Sequence, residues 1–584
     1  MARPVATPRR FFHSPVRWLI LLALGWWLLW ASQISDRGID PDELEHLHAA
    51  FCVSQSQLPY RDFFEHHAPA LYFAAWPAFA LFGPTLQTLW VLRGTMWLIT
   101  GLTALRLARP PRVAPGSLTP HTFTSPTLNS LAGLCFLGTT VAVAKGLEFR
   151  PDVPATCLLA WVLWLTLDHP DPAVGQGSPS PGSPRLRVPL YPLPQIPFRA
   201  LLVALCAGLA TLFTQKAIVP LAALSAALTL QGLVTRQWRD VLWRIVPITF
   251  GVAIAWIATG LLFTCLGAGP VFFDSTIAQL WRWPLRSGTW PHLRPTLAAD
   301  GWFWALALLG TAHQLRPWLW PSTPIPRTTP FPLLAVATLL CVASLGLVKA
   351  TFPQYYLLWF PWLALLAPSG WNLLHPLLAP STPAPRPRLT PPARLAVAAL
   401  ALFTLAALTR ALIQGPTGSL PFLFQPSPSR ALAGLLLLAA TLTLGLFLLL
   451  SPSARLSRLL LALTLSLGLA RHANLLAWHN QPQVAAIEAL HARVPPTQSV
   501  LDGFTGWGAL RPHAYYHWWL NPFSLALIPP EQLEADLLNL FRNNPPAALL
   551  DDAELQRLPP AIRAEIETRY QPTPPAPLRI LRPN

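Results

Sequence analysis

Residues 17–48 read RWLILLALGWWLLWASQISDRGIDPDELEHLH. A basic residue leads into an apolar run, Trp18 to Trp30, which gives way to a segment crowded with acids and histidines. Basic, apolar, acidic is the order of a membrane helix whose N-terminal end stays in the cytoplasm. A cleaved signal peptide shares the first two parts of that order. Here the run leaves through Ala31-Ser32-Gln33-Ile34-Ser35-Asp36, with no small-x-small cleavage site. The run reads as a retained first helix, and the acidic segment as lying outside.

The rest of the chain extends this reading. Of 584 residues 53% are apolar and only 11% charged, and the mean hydropathy is +0.42. A soluble chain of this length would lack the polar side chains to cover its surface, and so apolar a sequence is not disordered. The net charge is +17, carried by 38 Arg against three Lys. The arginines stand singly between apolar blocks, which excludes a nucleic-acid patch and fits positive-inside loops. Apolar blocks of about spanning length lie at 86–107, 127–146, 153–167, 199–215, 217–233, 244–266, 301–314, 331–348, 355–370, 394–414, 430–450 and 458–478. With the first helix they make thirteen. The stretch 68–83 is only 16 long and carries two prolines, so it reads as interfacial or re-entrant. Counting it as non-crossing puts Arg106, Arg109, Arg112, Arg185, Arg187, Arg236, Arg239, Arg316, Arg327, Arg386, Arg388, Arg394, Arg455 and Arg458 in cytoplasmic loops. The Pro/Ser/Thr-rich loops 108–126, 168–198, 315–330 and 372–393 read as connectors. The six cysteines show no CxxC spacing, so neither a disulfide frame nor a zinc site is indicated.

The expected fold is therefore a polytopic α-helical membrane protein. Residues 1–15 form a cytoplasmic N-terminus, 16–478 a bundle of about 13 transmembrane helices with a first outer loop at 35–85, and 479–584 a small extracytoplasmic domain. In that last part helical patterns at 482–493, 530–541 and 560–569 alternate with strand-like runs at 499–501, 547–550 and 578–581. Such alternation predicts an α/β unit.

Chemistry points to the outer loop. Seven of the 24 acidic residues lie between Asp36 and Glu65, alongside His46, His48, His66 and His67. A helix over 42–54 would put Asp42 and His46 on one face and Leu44, Leu47 and Phe51 on another. It would lie on the membrane, apolar side down, with its acids and imidazoles facing water. Acids and histidines at the mouth of a bundle can supply a general base or hold a divalent cation; a solvated acidic loop is the plain alternative. Lys145, Lys216 and Lys349 all fall at outer helix ends in this topology, joined by Arg150, Arg282 and Arg286. Cations on that side suit an anion at the interface, most simply a lipid phosphate, though lysines also snorkel at helix ends. Glu148 and Asp152 add carboxylates close to the bilayer, where charges are costly and often functional. Tryptophan and tyrosine near 279–284 and 353–359 suit an interfacial belt, and Tyr515 to Trp519 suits a contact between the outer domain and the membrane.

Together Asp42-Glu43, the run LPYRDFFEHHAP (58–69), EFRPD (148–152), TQKA (214–217) and FPQY (352–355) resemble the blocks of the polyprenyl-phosphate-dependent GT-C glycosyltransferases, in order and on the expected side. That family includes protein O-mannosyltransferases and the aminoarabinose lipid A transferases. The resemblance covers most of 15–370 as a pattern; the ordered set carries it rather than any one block. It implies that Asp42 is the general base, with Asp40 a rival two residues away. It implies a donor phosphate held by Lys216, Lys349, Arg150 and His66, and a metal or second carboxylate position drawn from Glu65, Asp152 and His46. Some relatives carry Glu-Lys-Pro where this chain has Glu65-His66-His67-Ala68-Pro69, and Lys216 or Lys349 would then cover the lysine's part.

The activity so implied is transfer of a sugar from a polyprenyl-phosphate donor to an acceptor hydroxyl of a lipid, glycan or protein on the outer face of a bacterial-type inner membrane. The anomeric centre would be inverted. A divalent cation is the one cofactor considered; no nucleotide cofactor and no nucleic-acid partner are expected. The rival from another class is a transporter or lipid flippase using the same charges as a substrate path. It predicts ionisable groups at mid-membrane and a two-fold repeat, and no repeat is visible.

Overall fold

The computed structural model describes residues 24–109 except 26 and 29, together with 126–167, 195–282, 290–319, 331–347, 352–378 and 478–583. Asp40 starts the first helix of the outer loop, α1 (Pro41–Ser54). Its backbone is extended, its carboxylate accepts the Asp42 N–H at 3.0 Å, and Pro41 fills the first helical position. Asp42 and Glu43 then complement the positive end of the helix. The next helix, α2 (Ala70–Phe82), has 13 residues. It rises about 20 Å, against a hydrocarbon core of about 30 Å.

The bundle continues with α3 (Leu86–Leu107), α4 (Pro126–Leu137), α5 (Thr140–Lys145), α6 (Asp152–Leu167), α7 (Gln195–Phe213), α8 (Ile218–Thr235) and α9 (Trp238–Cys265). It closes with α10 (Trp290–Leu319), α11 (Leu333–Ala343) and α12 (Phe360–Leu378). The block expected as one span over 127–146 is two helices. Thr139 caps the second by accepting the Ala142 N–H, and Asp300 accepts the free N–H groups of Thr140 and Val141 at 2.6 and 3.3 Å. Asp300 is also where α10 kinks, at φ −121° and ψ 26°. One carboxylate thus satisfies a broken helix while sitting at the bend of another.

Among the described residues, two helices are long and apolar enough to cross a membrane, Gln215–Thr235 and Trp238–Cys265. On α9 the side chains of Leu242, Val246, Phe250, Ile254, Ile257 and Leu261 point outward as a continuous stripe, while Val241, Ile248, Gly251 and Phe263 face in. A helix whose outer face is this apolar matches lipid, not water. Inside, backbones approach closely. A Cβ on Gly251 would lie 2.0 Å from the Ala204 carbonyl oxygen, and one on Gly370 2.0 Å from that of Leu306. Such small-residue crossings are how membrane helices gain packing without a hydrophobic drive. The spans expected at 394–414, 430–450 and 458–478, most of the first helix, and Lys349 lie outside the described residues, as do most of the Pro/Ser/Thr-rich loops.

From 478 the chain returns beside the outer loop. Gly38 donates to Trp478 O at 2.8 Å, Asn480 donates to Asp36 O at 2.9 Å, and the Gln483 amide takes both polar backbone groups of Ile39. An α/β unit follows: α13 (Gln481–Arg493), β1 (Val500–Asp502), α14 (Pro530–Asn543), β2 (Ala548–Leu550), α15 (Pro560–Arg569), β3 (Tyr570–Pro572) and β4 (Leu578–Leu581). The sheet order is β1-β2-β4-β3, with β1 parallel to β2 and the other pairs antiparallel. Leu501, Leu537, Phe541, Leu549, Ile562, Ile566 and Tyr570 form its core.

Candidate active site

The sequence places an acidic helix near scarce cations, and the structure pairs them. Asp40 receives Lys145 Nζ and Arg150 Nη2, each at 2.7 Å. Lys145 also reaches Glu148 at 3.1 Å, and Arg150 Nε contacts the same carboxylate. Arg37 closes the group against Glu148 at 2.9 Å. Burial would raise the Asp40 carboxyl, but Lys145 and Arg150 outweigh it and hold the group well below the usual carboxylate range.

Asp42 differs. Among the described residues its one ion contact is Arg150 Nη1 at 3.1 Å, and its side chain is 37% exposed. Beside it, Asp152 starts α6, buried, with Oδ1 lacking a hydrogen-bond partner. Lys216, Arg150 and Asp42 are the charges acting on it. Lys216 sits on a short 3-10 turn before α8, its Nζ 3.6 Å from the centre of the Tyr355 ring. The next residue back, Gln215, holds the Glu65-His66-His67-Ala68 turn. Its Oε1 accepts the Ala68 N–H at 3.1 Å and its Nε2 donates to His66 O at 2.8 Å.

Within that turn Glu65 Oε1 accepts from the His66 N–H, the His67 N–H and the His67 Nδ1–H at 2.8, 2.9 and 2.8 Å. Glu45 comes close from α1, and Glu45, Glu65, His66 and His67 each offer a ligand atom within 4.8 Å of the others. Burial, then the charges of Glu65 and Asp42, push the Glu45 carboxyl well above its ordinary range. Two carboxylates and two imidazoles converging this way fit a divalent cation, whose charge would relieve the crowding. His46 stands beside the group, edge-on to His67 at 4.7 Å and 3.3 Å from Tyr72 Oη. Asp152 and His46 are not in that four-residue set.

One expectation needs correction. On α1, Glu43, His46 and His48 are buried rather than facing water, while the Asp42 side chain stays 37% exposed. The segment 506–519 covers the helix. Gly506 packs on Leu44, His48 stacks on Trp518 at 3.8 Å between ring centres, and Tyr516 Oη donates to Tyr60 O at 2.5 Å. The aromatic run Tyr515 to Trp519 therefore packs on the outer loop.

Four residues were given no site role from the sequence: Glu43, Arg93, Glu45 and His67. Glu43 and Arg93 form a buried two-pronged pair, and Arg93 donates in addition to the carbonyls of Ile34, Arg37 and Gly38. Glu45 and His67 complete the four-residue group that could hold a cation. A lone arginine inside the apolar run Leu86–Leu107 was the available signal for Arg93.

No family model matches the sequence, and no curated protein matches it. Solved structures do. ArnT from Cupriavidus metallidurans in the apo state matches with a TM-score of 0.56 at 16% identity, over 91% of this chain and 92% of that one. The same protein bound to undecaprenyl phosphate matches with a TM-score of 0.53 at 15% identity, over 92% and 93%. ArnT is an aminoarabinose transferase with the GT-C fold. A likeness over nearly the full length of both chains shows that this chain has the GT-C fold as well.

Proposed function

We propose that the chain is a membrane glycosyltransferase that moves a sugar from a polyprenyl-phosphate donor to an acceptor hydroxyl at the outer face of a bacterial-type inner membrane. The observation that carries the reading is the contrast between the two loop aspartates. Asp40 is locked between Lys145 and Arg150, whereas among the described residues Asp42 has one ion-paired cation, Arg150, and a 37% exposed side chain. A general base must be reachable by the proton it takes. That Cupriavidus metallidurans ArnT, which shares the fold, is also known bound to undecaprenyl phosphate supports a lipid-linked donor.

Asp42 accepts the acceptor's hydroxyl proton as that oxygen attacks the anomeric carbon. The bond from that carbon to the phosphate oxygen breaks, and attack opposite the leaving group inverts the centre. Lys216, Lys349, Arg150 and His66 stabilise the phosphate charge. Asp152, buried beside Lys216 and Arg150, keeps these cations oriented. Glu45, Glu65, His66 and His67 would hold a divalent cation, which supplies further positive charge when bound.

The test uses full-length protein in detergent with a panel of radiolabelled polyprenyl-phosphate sugars and envelope extract as acceptor. Transfer is expected from the wild type. Asp42→Asn should lower it by about 10²–10⁴-fold while undecaprenyl phosphate still binds. Unchanged transfer by Asp42→Asn removes Asp42 from the chemistry; movement of the lipid without any glycosidic product overturns the enzyme reading.

A further inference from the structure

A second cluster shares no residue with the proposed catalytic site. His48 and Cys52 lie one turn apart on α1 and meet His513 from the covering segment. His48 Nδ1 is 2.9 Å from the Ala509 carbonyl oxygen, which can only accept, so this nitrogen carries the proton. The other nitrogen, Nε2, then directs a lone pair at Cys52 Sγ, 3.3 Å away, and at His513 Nδ1, 3.2 Å away. The third edge, Cys52 Sγ to His513 Nδ1, is 3.5 Å.

These edges are informative. Tetrahedral zinc with bonds of about 2.0 Å to nitrogen and 2.3 Å to sulfur has N···N edges of about 3.3 Å and N···S edges of about 3.5 Å. The three ligand atoms stand at that spacing without any side chain having to move. His48 and Cys52 are each 1% exposed, and His513 is half-buried. The carbonyl on the far nitrogen of His48 is the kind of outer partner that orients a metal-bound imidazole.

We propose that His48, Cys52 and His513 form a site for a zinc-class cation that fastens α1 to the C-terminal α/β unit. Binding replaces the Cys52 thiol proton, which leaves to solvent, and uses both imidazoles in neutral form. The site would set how firmly the C-terminal unit covers the acidic helix, whatever reaction that helix serves.

The experiment uses full-length protein in detergent, stripped with chelator and titrated with Co2+ as a spectroscopic stand-in for Zn2+. One equivalent should produce thiolate-to-cobalt charge-transfer absorption in the near ultraviolet, and Zn2+ should displace it. Cys52→Ser should abolish the band, and His513→Gln should weaken the affinity at least tenfold. Glu65→Gln, which removes a ligand of the acidic set, should leave the band unchanged. Should Cys52→Ser fail to fold, a chain retaining Cys52 alone among the cysteines supplies the readout: Zn2+ should protect its thiol from maleimide. Absence of the band, its survival in folded Cys52→Ser, or unprotected alkylation overturns the proposal.

Discussion

Arg93 Nη2 lies 2.6 Å from Glu43 Oε2, and Arg93 Nε lies 2.8 Å from Glu43 Oε1, with both side chains fully buried. The pair joins α3 to α1 across 50 residues of sequence. Arg93 holds the carbonyls of Ile34, Arg37 and Gly38 as well, so one guanidinium fixes how the chain leaves its first helix. Removing one partner strands a buried charge. Arg93→Met or Glu43→Leu should each cost about 3–5 kcal/mol of stability, read as a lowered melting temperature of the detergent-solubilised protein. Arg93→Lys should not restore it, since an ammonium cannot match the two-pronged geometry.

The two loop aspartates should separate in their consequences. Asp42→Asn should lower transfer by about 10²–10⁴-fold, the range for loss of a general base, with the melting temperature nearly unchanged because the side chain is 37% exposed. Asp40→Asn should melt earlier, because Lys145 and Arg150 lose a charged partner. Equal melting temperatures for the two variants would contradict the assignment of roles.

Lys216 should matter for the donor phosphate. It is held over Tyr355, and its charge acts on Asp152. Lys216→Met should weaken binding of undecaprenyl phosphate by about 10–100-fold, the scale of a charge-assisted hydrogen bond, measured by ligand-induced change in melting. Tyr355→Leu should weaken it less, because the ring only supports the ammonium.

The C-terminal unit carries a pH signature. Asp502, at the end of β1, has its carboxyl pushed up to about 6, first by burial, then by the Asp552 charge; hydrogen bonds from Gly508 and Thr505 oppose the rise. The folded state therefore holds this proton more tightly than the unfolded chain, whose ordinary value is 3.8. Its stabilising contribution is full below pH about 4 and is lost as pH rises through about 6, a swing on the order of 3 kcal/mol. Melting curves between pH 4 and 7 should show a dependence of this sign that Asp502→Asn removes.

Much of this was legible in the residues, for local reasons. The helix expected over 42–54 is found at Pro41–Ser54, started by the local signal Asp40-Pro41. In the C-terminal part, helices expected at 482–493 and 530–541 are found at Gln481–Arg493 and Pro530–Asn543; the short strand Tyr570–Pro572 and the short helices Pro522–Leu525 and Leu555–Arg557 went unseen. What stayed hidden depends on distant partners. Thr139 reads as part of an apolar run until Asp300, some 160 residues on, satisfies the broken helix after it. The imidazoles of α1 look amphipathic until the segment 506–519 covers them. His48 and Cys52, four apart, carry no metal signature without His513, which lies 461 residues from Cys52.

Gln215 grips the turn after Glu65 solely through main-chain atoms, the Ala68 amide and the His66 carbonyl. The path of that turn is thereby uncoupled from the identity of the side chain it displays. An imidazole at position 66 could be exchanged for a longer ammonium with the peptide trace intact, so charge beside the proposed donor site becomes adjustable independently of architecture.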